Sequence, residues 1–240
     1  AVLAVQGGAN ALHHLRTRRP RGPLAPPEPP GVWFRILMTT GYLVGTGLGV
    51  WLALETPALL GVGAAGLGLS FLYSRLRARG LGPLVAALTY GPLITVGALH
   101  AMVGYQDGAL HGTALAASLP LAVFAAALFY VNDLADRGLD EATGKRTLLV
   151  RLPRADHAAG FAVLVTAGAA TALGLLAWLG ARGIAWLLLL GVSVAAGWLI
   201  VAVRRHVDDP AGLAAARFGT LALHAATGAL LLAATYLEAA

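Results

Sequence analysis

Seven stretches of this chain run for at least 19 residues without Asp, Glu, Lys or Arg. They cover 36–54, 56–74, 80–106, 108–132, 158–181, 183–203 and 218–237. A helix needs about 20 apolar residues to cross about 30 Å of hydrocarbon. Barrel strands would instead show alternating segments of about ten residues, and these stretches do not. The pattern therefore predicts an all-α, multi-pass transmembrane helical bundle with about seven full spans.

Composition supports a membrane protein over other classes. The chain is 58% hydrophobic and only 12% charged, against about 25% charged residues in ordinary soluble domains. A soluble globular domain could not cover that much apolar surface, and a disordered chain needs the opposite balance. The chain has no Cys, which excludes disulfide scaffolds, thiolate metal sites and Cys nucleophiles.

The basic residues predict the topology. Alternate loops, at 16–35, 75–79, 133–156 and 204–217, hold 16 of the 17 Lys and Arg residues. The positive-inside rule makes these four loops cytoplasmic, in the inner (plasma) membrane. The net charge of +6 is thereby explained by topology, and nucleic-acid binding is not expected.

The first 15 residues are uncharged but too short to span a membrane. They do not resemble a signal peptide, because the basic cluster follows them instead of preceding them. We interpret them as the end of a partial helix whose beginning is missing from this chain, through truncation or a misplaced gene start.

One segment that is predicted to be cytoplasmic is rich in acidic and basic residues: YVNDLADRGLDEATGKRTLLVRL at 130–152. If the preceding helix continues into it, Asp133, Asp136 and Asp140 share one face, with Asn132 beside them. Clustered carboxylates repel each other unless a cation neutralises them, and oxygen ligands suit Mg²⁺. The alternative is a solvated loop whose charges pair among themselves.

Basic residues follow the acids. Lys145 and Arg146 come directly after Gly144, and they could bind phosphate oxygens. The segment therefore combines candidate metal ligands with candidate phosphate ligands.

The segment DRGLDEATGKRTLLVRL resembles the second Asp-rich motif of the UbiA superfamily of membrane prenyltransferases, most closely its 1,4-dihydroxy-2-naphthoate polyprenyltransferase branch. The matching positions are Asn132, Asp136, Asp140, Gly144, Lys145, Thr147, Leu148, Val150 and Leu152. A second block, LYSRLRARGLGPLVAALTYGPLITVG, resembles another segment of that branch through Tyr73, Arg77, Arg79, Gly80, Leu81, Gly82, Gly91 and Pro92.

The family's first Asp-rich motif, Asn-Asp-x-x-Asp, is altered here. Asn10 can match an upstream Asn, but His13 and His14 stand for the Asn-Asp pair and Thr17 for the next Asp. Imidazole is a poorer Mg²⁺ ligand than carboxylate.

The resemblance implies a bundle of nine helices, so residues 1–240 would form a single domain lacking the first one and a half. It implies transfer of a polyprenyl group from its diphosphate to an aromatic acceptor in the lipid bilayer, with Mg²⁺ as cofactor. Asp136 and Asp140 would bind Mg²⁺ and act in catalysis with Lys145. The other expected site residues are Asn132, Asp133, Arg77, Arg79, Tyr73, Arg146 and Asn10.

Two other functions remain open. The altered first motif also fits a non-catalytic or repurposed member that binds isoprenoid or quinone. A transporter is disfavoured, because the spans contain almost no ionisable residues and no clear pair of half-helices. Arg77 and Arg79 also have a plain alternative as positive-inside anchors.

Overall fold

A computed structural model of the protein describes residues 31–103, 108–180 and 183–239. Helices are the regular structure of these ranges, and no strand occurs in them. The predicted partial helix at 1–15, with Asn10, His13, His14 and Thr17, lies outside the described residues.

The helices follow the uncharged stretches closely. They are α1 (Gly31–Glu55), α2 (Leu59–Ala78), α3 (Gly82–Leu88), α4 (Ile94–Val103), α5 (Gly108–Ala142), α6 (Leu148–Arg151), α7 (His157–Trp178), α8 (Ile184–Arg205) and α9 (Leu213–Ala239). A π-helical turn at Thr89–Leu93 joins α3 to α4, and a 3₁₀ turn at Arg154–Asp156 precedes α7.

Six helical segments of the described chain are long and apolar enough to cross a membrane: Gly31–Glu55, Leu59–Ala78, Gly82–Met102, His111–Ala142, Arg154–Trp178 and Leu213–Ala233. The remaining predicted span, 183–203, is helical from Ile184 onward and belongs to the 22-residue α8, which is not one of those six segments. The predicted all-α membrane fold is therefore confirmed.

Two compact units make up the chain. The first contains Ala1–Arg75 and Gly97–Gln106, and the second contains Leu76–Val96 and Asp107–Ala240. Within the first unit, Tyr42 of α1 stacks on Phe71 of α2 with 4.7 Å between ring centroids. Many large apolar side chains of these two helices are exposed, Trp51 and Leu54 among them, as expected for helices that face lipid.

The second unit is built around α5, which packs against α3, α7 and α9. Small residues allow the close contact with α7. A Cβ atom at Gly160 would clash with the Tyr130 side chain, and one at Gly168 would lie 2.7 Å from the Phe124 ring. The fully buried rings of Phe124 and Phe161 lie in this core. These two glycines thus let α7 lie close to α5, as small residues commonly do in membrane bundles.

A break in the helical backbone separates α3 from α4. Pro92 lies inside the π-helical turn, and the φ and ψ angles of Gly91, −96° and −105°, leave the helical region. A Cβ atom at Gly91 would overlap Ala122 of α5. The break therefore lets α3 lie against α5, which brings the residues just before α3 to the polar end of α5.

Candidate functional site

The long helix α5 continues past its uncharged part. It has 35 residues and ends at Ala142, so at 1.5 Å per residue it is about 52 Å long and exceeds a hydrocarbon core of about 30 Å. Asp133, Asp136 and Asp140 all belong to it. The prediction that the helix continues through the three acids is confirmed.

Arg77 lies among these carboxylates. Its Nε donates to Asp133 Oδ1 at 2.7 Å, and its Nη2 donates to Asp140 Oδ2 at 2.9 Å and to Asp136 Oδ2 at 3.4 Å. The side chains of Arg77, Asp133 and Asp140 are nearly inaccessible, whereas that of Asp136 keeps 27% of its accessible surface. A buried charge is tolerated when it is paired and hydrogen-bonded, and one guanidinium serves three acids here.

Lys145 brings a second cation to Asp140. After α5 ends, Gly144 adopts a positive φ of 71°, which glycine accepts without strain. The Lys145 backbone N–H then donates to the Asp140 carbonyl at 2.8 Å, and its Nζ donates to Asp140 Oδ1 at 3.2 Å. The two carboxylate oxygens of Asp140 thus contact two different cations.

Glycines shape the turn that presents Arg77. After α2, the chain reverses through Gly80 at φ 86°. A Cβ atom at Gly82 would lie 3.2 Å from Arg77 Cγ and 3.3 Å from Asp133 Oδ2. One at Gly80 would lie 3.5 Å from the Leu148 backbone. The two sequence blocks, 73–92 and 130–152, therefore meet within the second unit, and the small residues leave room for the ion pairs.

Arg217 contacts the same end of α5. The sequence indicates it only as one of the basic residues that predict the membrane topology. Its Nε donates to Asn132 Oδ1 at 2.7 Å. The two residues are 85 positions apart and lie on α9 and α5. No local pattern in the sequence joins them, so only the packing of the two helices shows the contact.

His157 is a second residue that the sequence did not indicate. It is fully buried, and its Nε2 lies 2.9 Å from the Leu149 carbonyl oxygen and 3.2 Å from that of Leu152. The Tyr130 hydroxyl donates to the His157 carbonyl at 3.0 Å. These bonds hold the segment after Lys145 against α5 and α7.

Arg77, Lys145 and the three acids form one ion-pair cluster, and the remaining predicted site residues are not part of it. Arg79 and Arg146 are exposed, and among the described residues neither bonds the three carboxylates. Tyr73 is half-buried in α2 and belongs to the first unit. Asn10 lies outside the described residues.

The oxygen donors of the cluster suit Mg²⁺ in chemical type. Within the ranges that the structure describes, no three acidic or His side chains are arranged to hold a metal ion by themselves. Mg²⁺, however, is usually held by one or two carboxylates together with substrate phosphates. Asp133 Oδ2 is buried without a hydrogen-bond partner, and Asp136 is the most accessible of the three acids. The residues fit a magnesium ion that phosphate oxygens help to bind.

Comparison with known proteins gives one match. A sequence model of the UbiA prenyltransferase family matches residues 30–234, which is most of the chain. The match includes both blocks that meet at Arg77. No curated protein and no solved structure matches.

Proposed function

The chain belongs to the UbiA prenyltransferase family, and from this premise we propose that it transfers a polyprenyl group from its diphosphate to a dihydroxynaphthoate-type acceptor in menaquinone biosynthesis. Members of the family are membrane prenyltransferases that typically depend on Mg²⁺. The choice of acceptor rests on the resemblance of 73–92 and 136–152 to the naphthoate branch.

One observation carries the proposal. Arg77 from the first block bonds Asp133, Asp136 and Asp140 from the second. Two sequence segments that resemble the same enzymes therefore lie together as one charged cluster, at the end of a membrane-spanning helix. This is the arrangement expected of a site that receives a diphosphate headgroup while the chain of the substrate stays in lipid.

The residues of the cluster have distinct roles in the proposed reaction. Asp136 and Asp140 would hold Mg²⁺, which supplies charge neutralisation that makes diphosphate a better leaving group. Lys145 and the exposed Arg146 bind diphosphate oxygens. Arg77 keeps the three carboxylates in place before substrate arrives. The apolar helices exclude water that would quench the developing allylic cation.

We further propose one membrane domain over residues 1–240, with its active face cytoplasmic in the plasma membrane. The family match runs across both compact units, which supports a single functional domain. The basic loops support the orientation.

The test is prenyl transfer by the chain in membranes that lack an endogenous prenyltransferase. Dihydroxynaphthoate, a polyprenyl diphosphate and Mg²⁺ should give a prenylated product identified by mass, and EDTA should abolish it. Asp136→Asn and Asp140→Asn should each lower the rate on the order of 10²–10³-fold, as loss of one charge-stabilising group does elsewhere.

Asp208→Asn is the control, because Asp208 is exposed in the loop after α8. Full activity of both cluster variants would contradict the metal role. No product from the intact protein with any aromatic acceptor would contradict the function.

A second candidate is an isoprenoid- or quinone-binding protein without transferase activity. The contacts of Asp140 favour this candidate, because both of its carboxylate oxygens are already bonded to cations, Arg77 and Lys145. Saturable binding of polyprenyl diphosphate without turnover would support it, and turnover would exclude it.

A further inference from the structure

Arg217 differs from the other cations near the three acids in the partner that it bonds. Its Nε donates to the neutral amide oxygen of Asn132 at 2.7 Å, and the side chain is exposed. In the described part of the chain, no carboxylate pairs with it. A guanidinium carries five N–H donors, of which Nε supplies one. The contact with Asn132 therefore orients the group and leaves its charge uncompensated.

Arg77 and Lys145, by contrast, are already paired with carboxylates. Arg77 is buried among three carboxylates, and Lys145 contacts Asp140. An incoming anion would have to compete with those carboxylates for either cation. Arg217 presents no such competition.

The position of Asn132 places Arg217 beside the acids. Asn132, Asp136 and Asp140 are spaced four residues apart on α5, so they lie along one side of that helix. Asn132 is at the end of this row nearer the uncharged stretch 108–132. A lipid-anchored diphosphate would meet this end of the row first.

We propose that Arg217 binds a phosphate oxygen of the polyprenyl diphosphate, with Asn132 fixing the orientation of its guanidinium. The inference rests on the proposed function and adds a substrate-binding residue from the last helix. A planar guanidinium fixed at Nε presents its Nη groups as a fork, which matches two phosphate oxygens. Neither of the two sequence blocks contains this residue.

The experiment measures inorganic pyrophosphate binding in the presence of Mg²⁺, by calorimetry on the full chain in detergent, together with KM for the prenyl donor. Arg217→Gln should raise both the Kd for pyrophosphate and KM about tenfold or more, because a hydrogen bond to a charged group is lost. Arg217→Lys keeps the charge but not the fork, so its effect should be smaller. Asn132→Asp should also weaken binding, because it would neutralise Arg217.

Arg205→Gln is the matched control, since Arg205 is an exposed basic residue at the end of α8. It should leave Kd and KM unchanged, and thermal unfolding of all variants should stay close to wild type. An unchanged Kd for Arg217→Gln would overturn the inference and identify Arg217 as a topological anchor. Equal losses for Arg217→Gln and Arg205→Gln would also overturn it, because they would reflect general surface charge.

The outcomes separate this inference from the function it rests on. Wild-type protein that binds pyrophosphate through Arg217 but transfers no prenyl group would contradict only the transferase proposal. Turnover that is insensitive to Arg217→Gln would contradict only the inference. Wild-type protein that binds no pyrophosphate would contradict both.

Discussion

At the scale of single residues, Arg77 has the largest structural consequence. It is the partner of Asp133, Asp136 and Asp140, and two of those acids are buried as deeply as Arg77 itself. Removing one member of a buried ion pair costs more than the pair contributes, because the remaining charge has no compensation. The cluster should therefore be far more sensitive to loss of its cation than exposed ion pairs are.

Arg77→Met should lower the free energy of unfolding by about 3–5 kcal/mol. The reason is that Asp133 and Asp140 would stay buried without the guanidinium. Thermal or denaturant unfolding in a fixed detergent measures the change.

Two further variants make this prediction specific. Arg205→Met removes an exposed arginine and should change stability by less than about 0.5 kcal/mol. Adding Asp133→Asn to Arg77→Met should recover part of the loss, because the unpaired charge is removed. If Arg77→Met were as stable as Arg205→Met, the ion pairs would contribute nothing to the fold.

At the scale of helices, periodicity and charge explain what the sequence could predict. The uncharged stretches give the spans, and the helical repeat gives the shared face of the three acids. The partners of that face could not be predicted, because Arg77 and Arg217 approach it from 56 or more positions away. Helix pairing depends on small residues that look alike in the sequence, as Gly168 and Gly174 do on α7.

Gly168→Ala and Gly174→Ala should change stability in opposite directions. A Cβ atom at Gly168 would lie 2.7 Å from the buried Phe124 ring, whereas one at Gly174 meets nothing within 4 Å. The first should destabilise by about 1–3 kcal/mol through overpacking. The second should stabilise by up to about 1 kcal/mol through helix propensity.

Thermal unfolding of the two variants in the same detergent checks this prediction. They share a helix and a chemical change, so each is the control for the other. Equal shifts of the same sign would show that α5 and α7 do not pack as described.

At the scale of the whole molecule, the placement of basic residues predicts the orientation in the membrane. The three described basic loops, at 75–79, 133–156 and 204–217, all belong to the same predicted side. The ion-pair cluster and Arg217 lie on these loops or the adjoining helix ends. The proposed active face therefore coincides with the side that the positive-inside rule predicts to be cytoplasmic.

Accessibility of introduced thiols tests the orientation, and the chain has no native Cys to interfere. Ala142→Cys at the end of α5 should react with a membrane-impermeant maleimide only after the membrane is opened. Glu55→Cys at the end of α1 should react in intact cells, because its loop carries no basic residue. Labelling of Ala142→Cys in intact cells would reverse the predicted orientation.

The contacts of Arg77 also set an order of events during synthesis. Arg77 is translated 56 residues before Asp133 and 63 before Asp140. At about 5–20 residues per second, it emerges roughly 3–13 s ahead of those partners. Arg217, the partner of Asn132, is translated 85 residues after it. All residues of the Arg77 cluster are therefore present once Lys145 has been translated, whereas the contact of Asn132 with Arg217 can form only after α9 has begun to emerge.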